Sequence, residues 1–163
     1  MAPWSDIHYA CDLAWWQRYY HEVEALPSLK LTVDKASHRR FQGVELVGVN
    51  KASDDLELMK FGTVGWGGNS GFHAINLALQ LLSGDGRIIL VGMDMNLHHG
   101  VHWHGKHPAG MNNPTDRNVM RWRKAIDAAA VTIEAMGVRV INASPISSLE
   151  NYPKMSLLEA MDA

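Results

Sequence analysis

The chain has 163 residues, 47% of them hydrophobic, which leaves room for one domain (1–163) with one sizeable core. A formal net charge of −2 excludes a general electrostatic case for nucleic acid or an anionic membrane, and the basic clusters His38-Arg39-Arg40 and Arg121 to Lys124 read as solvated faces. The single cysteine, Cys11, excludes an intramolecular disulfide; with neither a charged-then-apolar leader nor a long apolar span, the sequence predicts a cytoplasmic protein.

In chain order, Ser5 to Cys11 alternates in part and carries Ile7 and Tyr9, which predicts a short strand. Asp12 then caps a helix running to about Glu24, and Pro27 ends it. Trp15, Trp16, Tyr19 and Tyr20 give that helix one broad aromatic face, of the kind used for a core or an oligomer contact, with base stacking as the alternative. Leu29 to Val33 and Val44 to Val49 read as a second and a third strand. Between Lys51 and Gly65 the pattern is polar and mixed, which predicts a surface excursion.

Asn69-Ser70-Gly71 precedes Phe72, Ile75, Leu79 and Leu82 at helical spacing, so Asn69 or Ser70 is the expected N-cap of an amphipathic helix. Gly84-Asp85-Gly86 makes a turn into Arg87 to Gly92, an apolar run of the kind buried on both faces of a sheet. A polar loop carrying His98, His99, His102, His104 and His107 follows. Thr115 or Asp116 caps a long helix to Met136, with Val119, Trp122, Ile126, Ala129, Ile133 and Met136 on its inward stripe and Gly137 as its stop. Val138 to Asn142 is another buried strand, Ala143 to Ser148 a polar turn, Leu149 to Tyr152 one helical turn, and Met155 to Met161 a short terminal helix. Helices alternating with short apolar strands predict an α/β fold with a mostly parallel sheet and flanking helices.

The glycine-rich stretch before the second long helix carries the first candidate site. Gly67, Gly68 and Gly71 let backbone approach a ligand, and the free N–H groups of a helix start favour an anion; the bland alternative is tight packing with no ligand. In parallel sheets ligands bind beyond the carboxyl ends of strands, where Met93, Asp94 and the histidine loop would lie. The five histidines allow three readings. They could ligate a metal with Asp94, although their spacing matches no defined zinc pattern. One imidazole could serve as a general base near neutral pH. Or the loop could simply order itself by hydrogen bonds around Trp103.

Taken together, Gly68-Asn69-Ser70-Gly71, the run Ile88 to Asp94, His102-Trp103-His104-Gly105 and Val140-Ile141-Asn142-Ala143-Ser144-Pro145 resemble a superfamily of nucleotide-dependent transferases. It includes bacterial CMP-sialic-acid sialyltransferases, motility-associated glycosyltransferase-like proteins and 6-hydroxymethyl-dihydropterin pyrophosphokinase-like proteins, and the chain looks closest to small phage and prophage members. The resemblance implies a Rossmann-like fold in which Gly68, Asn69, Ser70, Gly71, Asn142 and Ser144 line a nucleotide site. Asp94 would be the acidic residue at a strand end, and His102 or His104 the base that deprotonates an acceptor hydroxyl. It further implies a CMP-type nucleotide-sugar donor as substrate, with no metal and no other cofactor required. Full-length relatives begin with a strand and a G-N-G-P-S type loop that this sequence lacks. The first βαβ portion is therefore expected to be missing, and a homo-oligomer is the expected remedy for the exposed sheet edge. The functional expectation is a glycosyltransferase-like protein in the cytoplasm, that of the host if phage encoded. The alternatives are a non-catalytic nucleotide-binding or interaction protein that keeps the fold, and a metal-dependent hydrolase built on the histidine loop.

Overall fold

The computed structural model describes residues 2–82, 86–101 and 105–163. The predicted turn at Gly84-Asp85 and the histidines His102 and His104 lie outside the described residues. Every strand pairing is parallel, as expected when short apolar stretches are joined through helices. Strand β1 (Ile7–Tyr9) leads through α1 (Leu13–Val23) to β2 (Leu29–Thr32), which leads through α2 (Lys35–Arg40) to β3 (Val44–Leu46); these strands pair in the order β1-β2-β3. Next, β4 (Gly48–Asn50) pairs with β5 (Thr63–Gly65). Helix α3 (Ser70–Leu81) follows, then β6 (Arg87–Leu90), which pairs across α4 (Asp116–Ala135) with β7 (Arg139–Asn142). A short α5 (Leu157–Asp162) closes the sequence of elements. The architecture is mixed α/β, with small parallel sheets and helices.

The stretch Val44 to Val49, expected as one strand, divides at Val47 for a hydrogen-bonding reason. Its Val47 N–H donates to the Thr32 carbonyl at 2.7 Å, while the next N–H, that of Gly48, donates to Gly62 at 2.8 Å. Successive N–H groups of an extended chain point to opposite edges, so the first half pairs with β2 and the second with β5. Strand β5 itself lies inside the stretch read as a surface excursion. Its Val64 is fully buried.

Two further expectations need correction. Leu149 to Tyr152 forms no helical turn, because the Asp127 carboxylate on α4 takes the N–H groups of both Glu150 (2.9 Å) and Asn151 (3.1 Å). The segment instead runs irregularly over the core, with Tyr152 donating its hydroxyl to the Ile126 carbonyl at 2.6 Å. Strand β6 is not buried throughout: Arg87 is exposed, Ile88 and Ile89 are half-buried and only Leu90 is buried. Its two isoleucines pack against different core clusters, and neither cluster closes fully over the strand.

The main core joins Phe72, Ile75 and Leu79 of α3 to Ile126 and Ile133 of α4, with Val140 and Leu149 completing it. Burial of each such side chain contributes about 1.5–3 kcal/mol. The caps suit these helices. Asn69 Oδ1 accepts from Phe72 N–H at 3.0 Å, and Thr115 forms a capping box with Asn118. Gly137, at φ 73°, turns the chain out of α4. The aromatic face of α1 is mostly core: Trp16 is fully buried with its Nε1–H on the Ala10 carbonyl (3.0 Å), and Trp15 and Tyr20 pack beside it. The expected homo-oligomer therefore draws little exposed surface from this helix. No described helix is long and apolar enough to cross a membrane.

Candidate functional site

After β5 the chain reverses through Gly67 (φ 45°) and Gly68 (φ 80°) into the start of α3. A Cβ on Gly67 would stand 2.1 Å from the Phe72 ring, so only glycine allows α3 to begin this close to its own core residue. The start of α3 is also tied to the carboxyl end of β1. Ser70 Oγ accepts from the Cys11 backbone N–H at 3.3 Å and donates to Cys11 Sγ at 3.0 Å. Burial pushes the Cys11 thiol up to about 11, so it stays protonated at neutral pH.

Opposite this helix start, the segment leaving β6 is held in place by its backbone. Met93 N–H donates to Ser144 Oγ (2.8 Å), and the Met93 carbonyl accepts from Ser147 Oγ (2.6 Å). The Asp94 carbonyl accepts from Ser148 N–H (2.7 Å) and Asn96 Nδ2 (3.0 Å). Met95 adopts φ 50°, a left-handed conformation unusual for a residue with a long side chain. Helix α4 supplies the third side with Val119 and Trp122.

These three walls enclose a cavity of about 480 Å³ lined by Asn69, Ser70, Gly71, Asp94, His99 and Trp122 among others, within the size range of small-molecule sites. The N–H groups of Ser70 and Gly71 precede the first intrahelical hydrogen bond and give this end a positive character. The Asp94 carboxylate is half-buried and accepts no hydrogen bond from the described residues. The cavity thus offers donors for an anion at one wall, an acceptor for hydroxyl groups at another, and an indole ring and thioethers between them.

Of the residues singled out in the sequence, Asn69, Ser70, Gly71 and Asp94 meet in this cavity. Gly68 stands just behind it, where a Cβ would lie 3.1 Å from both Arg121 and Trp122. Asn142 and Ser144 are buried at the end of β7 and do not line it. They act through the loop: Asn142 Oδ1 accepts from Ser144 N–H at 3.0 Å, and Ser144 holds Met93. Asn142 Nδ2 is buried without a hydrogen-bond partner among the described residues. His99 is exposed on the rim, and His107 N–H donates to Asn113 Oδ1 at 2.8 Å. Among the described residues no group of three or more His, Cys, Asp or Glu side chains could hold a metal ion.

Sequence reasoning missed the polar residues inside α3. His73 is 1% exposed, with Nε2–H donating to the Trp66 carbonyl (2.7 Å) and Nδ1 accepting from the Tyr9 hydroxyl (2.6 Å). A carbonyl can only accept, so this pairing fixes the tautomer, and burial depresses the imidazole below its ordinary range. Asn76 accepts from Glu57 N–H (2.9 Å) and Gly65 N–H (2.8 Å) and donates to the Glu57 carbonyl (2.9 Å). Gln80 bonds Gly62, Glu57 and Thr63 in the same manner. The spacing of His73, Asn76 and Gln80, which follows one helix face, was the available signal.

Comparison with known protein families, with curated proteins and with solved structures gives no match.

Proposed function

We propose that the cavity between α3, the segment after β6 and α4 binds a nucleotide-sugar donor of CMP type, and that the protein is a glycosyltransferase-like, sialyltransferase-like enzyme with a Rossmann-like nucleotide site. The observation that carries this reading is the convergence, in one cavity, of the α3 N-terminus with an Asp94 carboxylate that has no partner among the described residues. In this reading the N–H groups of Ser70 and Gly71 receive the phosphate, Asp94 accepts from sugar or ribose hydroxyls, and Trp122 provides a ring face for the base. The base that activates an acceptor hydroxyl is an imidazole of the histidine loop, His102 or His104, and the chemistry needs neither metal nor other cofactor.

Calorimetric titration with CMP, CDP, UDP and GDP tests the binding step, with heat expected for the cytidine nucleotides. No heat from any of them at millimolar concentration removes the proposal. Binding without turnover of CMP-activated sugars leaves the non-catalytic nucleotide-binding protein in its place.

A further inference from the structure

A second cavity, about 620 Å³ in volume, lies between the segment that follows β2, the end of β3, β4 and the start of β5, and is independent of the first. Lys35, Lys51 and Lys60 line it, together with Asp34, Gly48 and Thr63. The three lysines come from three different segments: the start of α2, the residue after β4 and the turn before β5. Parallel pairing of β2 with β3 and of β4 with β5 brings these segments to one face.

The charge here is unbalanced. Among the described residues none of the three ammonium groups pairs with a carboxylate, the ion pair between Arg121 and Asp54 lying elsewhere. The one carboxylate in the lining, Asp34, is already used, its Oδ2 accepting from Ser37 N–H (2.6 Å) and Ser37 Oγ (2.7 Å). Glu57, close enough to Lys60 to feel its charge, is held instead by Asn50 Nδ2 and Met59 N–H, both at 3.0 Å. Lys51 stands 4.7 Å from the centre of the Trp66 ring, which helps to hold its ammonium in place without neutralising it. Gly48 lets β4 lie close against β5 at the cavity floor, since a Cβ there would fall 2.7 Å from Thr63 Oγ1.

We infer that this cavity is a binding site for a small multivalent phosphate ligand, seated by Lys35, Lys51 and Lys60. Lysine binds phosphate as a mobile point charge, whereas a planar carboxylate is better matched by the fixed fork of arginine, which this lining lacks. Val33, Val47 and Val49 provide apolar contact below the charges, so the ligand carries a compact body beside its phosphates. The site stands whether or not the first cavity takes a nucleotide.

Inorganic pyrophosphate titrated into the ¹⁵N-labelled protein, with orthophosphate and sulfate in parallel, is the test. Pyrophosphate is expected to shift the amides of residues 34–35, 47–51 and 60–63 and to leave 69–71 unmoved, with sulfate much weaker. Lys35→Gln and Lys60→Gln should each weaken binding about tenfold, the effect of losing one charged hydrogen bond. The exposed Lys124→Gln should leave it unchanged. Shifts confined to 69–71, equal shifts with sulfate, an equal loss in Lys124→Gln, or no shift at millimolar pyrophosphate would each overturn the inference.

Discussion

His73 and Asp94 flank the same helix-to-strand unit, and they are opposites. Both ring nitrogens of His73 are committed, one to the Trp66 carbonyl and one to the Tyr9 hydroxyl, inside the packed interior. Asp94 has its backbone gripped by Ser148 and Asn96, yet its carboxylate accepts nothing from the described residues while facing a cavity. His73 is saturated as a buried polar group serving the fold should be, because an unpaired one costs about 1–3 kcal/mol. A group held rigidly from behind, and unpaired among the described residues in front, is arranged for something that arrives from solution. Side-chain chemistry alone would have ranked the two the other way, since an imidazole is the more familiar catalyst.

The largest expected effect sharpens the saturated side of this contrast. Asn76→Ala leaves the backbone N–H groups of Glu57 and Gly65 without their partner, while the Glu57 carbonyl keeps Gln80 Nε2, and should cost roughly 2–4 kcal/mol in denaturant unfolding. A loss below about 1 kcal/mol would mean that water replaces the amide and that the interior of α3 is less closed than it looks.

A smaller effect comes from pH. The imidazoles of His8 and His73 are both held below their ordinary range by burial, that of His8 also by the nearby Lys30 ammonium. The unfolded chain therefore binds protons that the folded one refuses. Stability should be full above about 6.5, the ordinary histidine value, and decline as pH falls below it. Melting temperatures at pH 7.5 and 5.5 measure the decline, and replacing His73 by Gln should flatten it. A profile that rises toward acid would reverse the assignment of neutral histidines to the folded state.

The smallest expected effect on stability belongs to Asp94. Asp94→Asn should change the unfolding free energy by no more than about 0.5 kcal/mol, as for a side chain without a partner among the described residues, while weakening nucleotide binding in the first cavity. A large loss of stability with binding intact would place Asp94 beside His73 as a structural residue.

Much of the architecture was legible because its signals are local. The Asn69 cap and the apolar positions Phe72, Ile75 and Leu79 locate α3, and Thr115 with its inward stripe locates α4. Helix α2 escaped notice because its sequence, Lys35 to Arg40, has no apolar stripe; it is fixed by the Asp34 cap and by packing on α1 and β3. The missing strand β5 and the irregular Leu149 to Tyr152 depend on partners distant in sequence, Asn76 in one case and Asp127 in the other. The same distinction runs through the site. Asn69, Ser70, Gly71 and Asp94 mark ends of visible elements, whereas Trp122 reads as an ordinary member of the α4 stripe and only tertiary packing turns it toward the cavity. Asn142 and Ser144, singled out by resemblance, lie behind the wall because β7 is the inner support of the Met93 segment.

The cavity walls also differ in how freely their length can change. The wall at Asn69 to Gly71 cannot be lengthened without displacing the Phe72 ring and the Cys11 tie. The opposite wall belongs to the connection between β6 and α4, where closure entropy rises only by about 0.6 kcal/mol for each doubling of chain. Beyond Asn96, past the hydrogen bonds that tie Met93, Asp94 and Asn96 to the segment 144–148, residues can therefore be added or removed at little cost to the fold. A lineage built on this scaffold could exchange one ligand for another by rewriting that connection alone, with the anion-facing helix start left untouched.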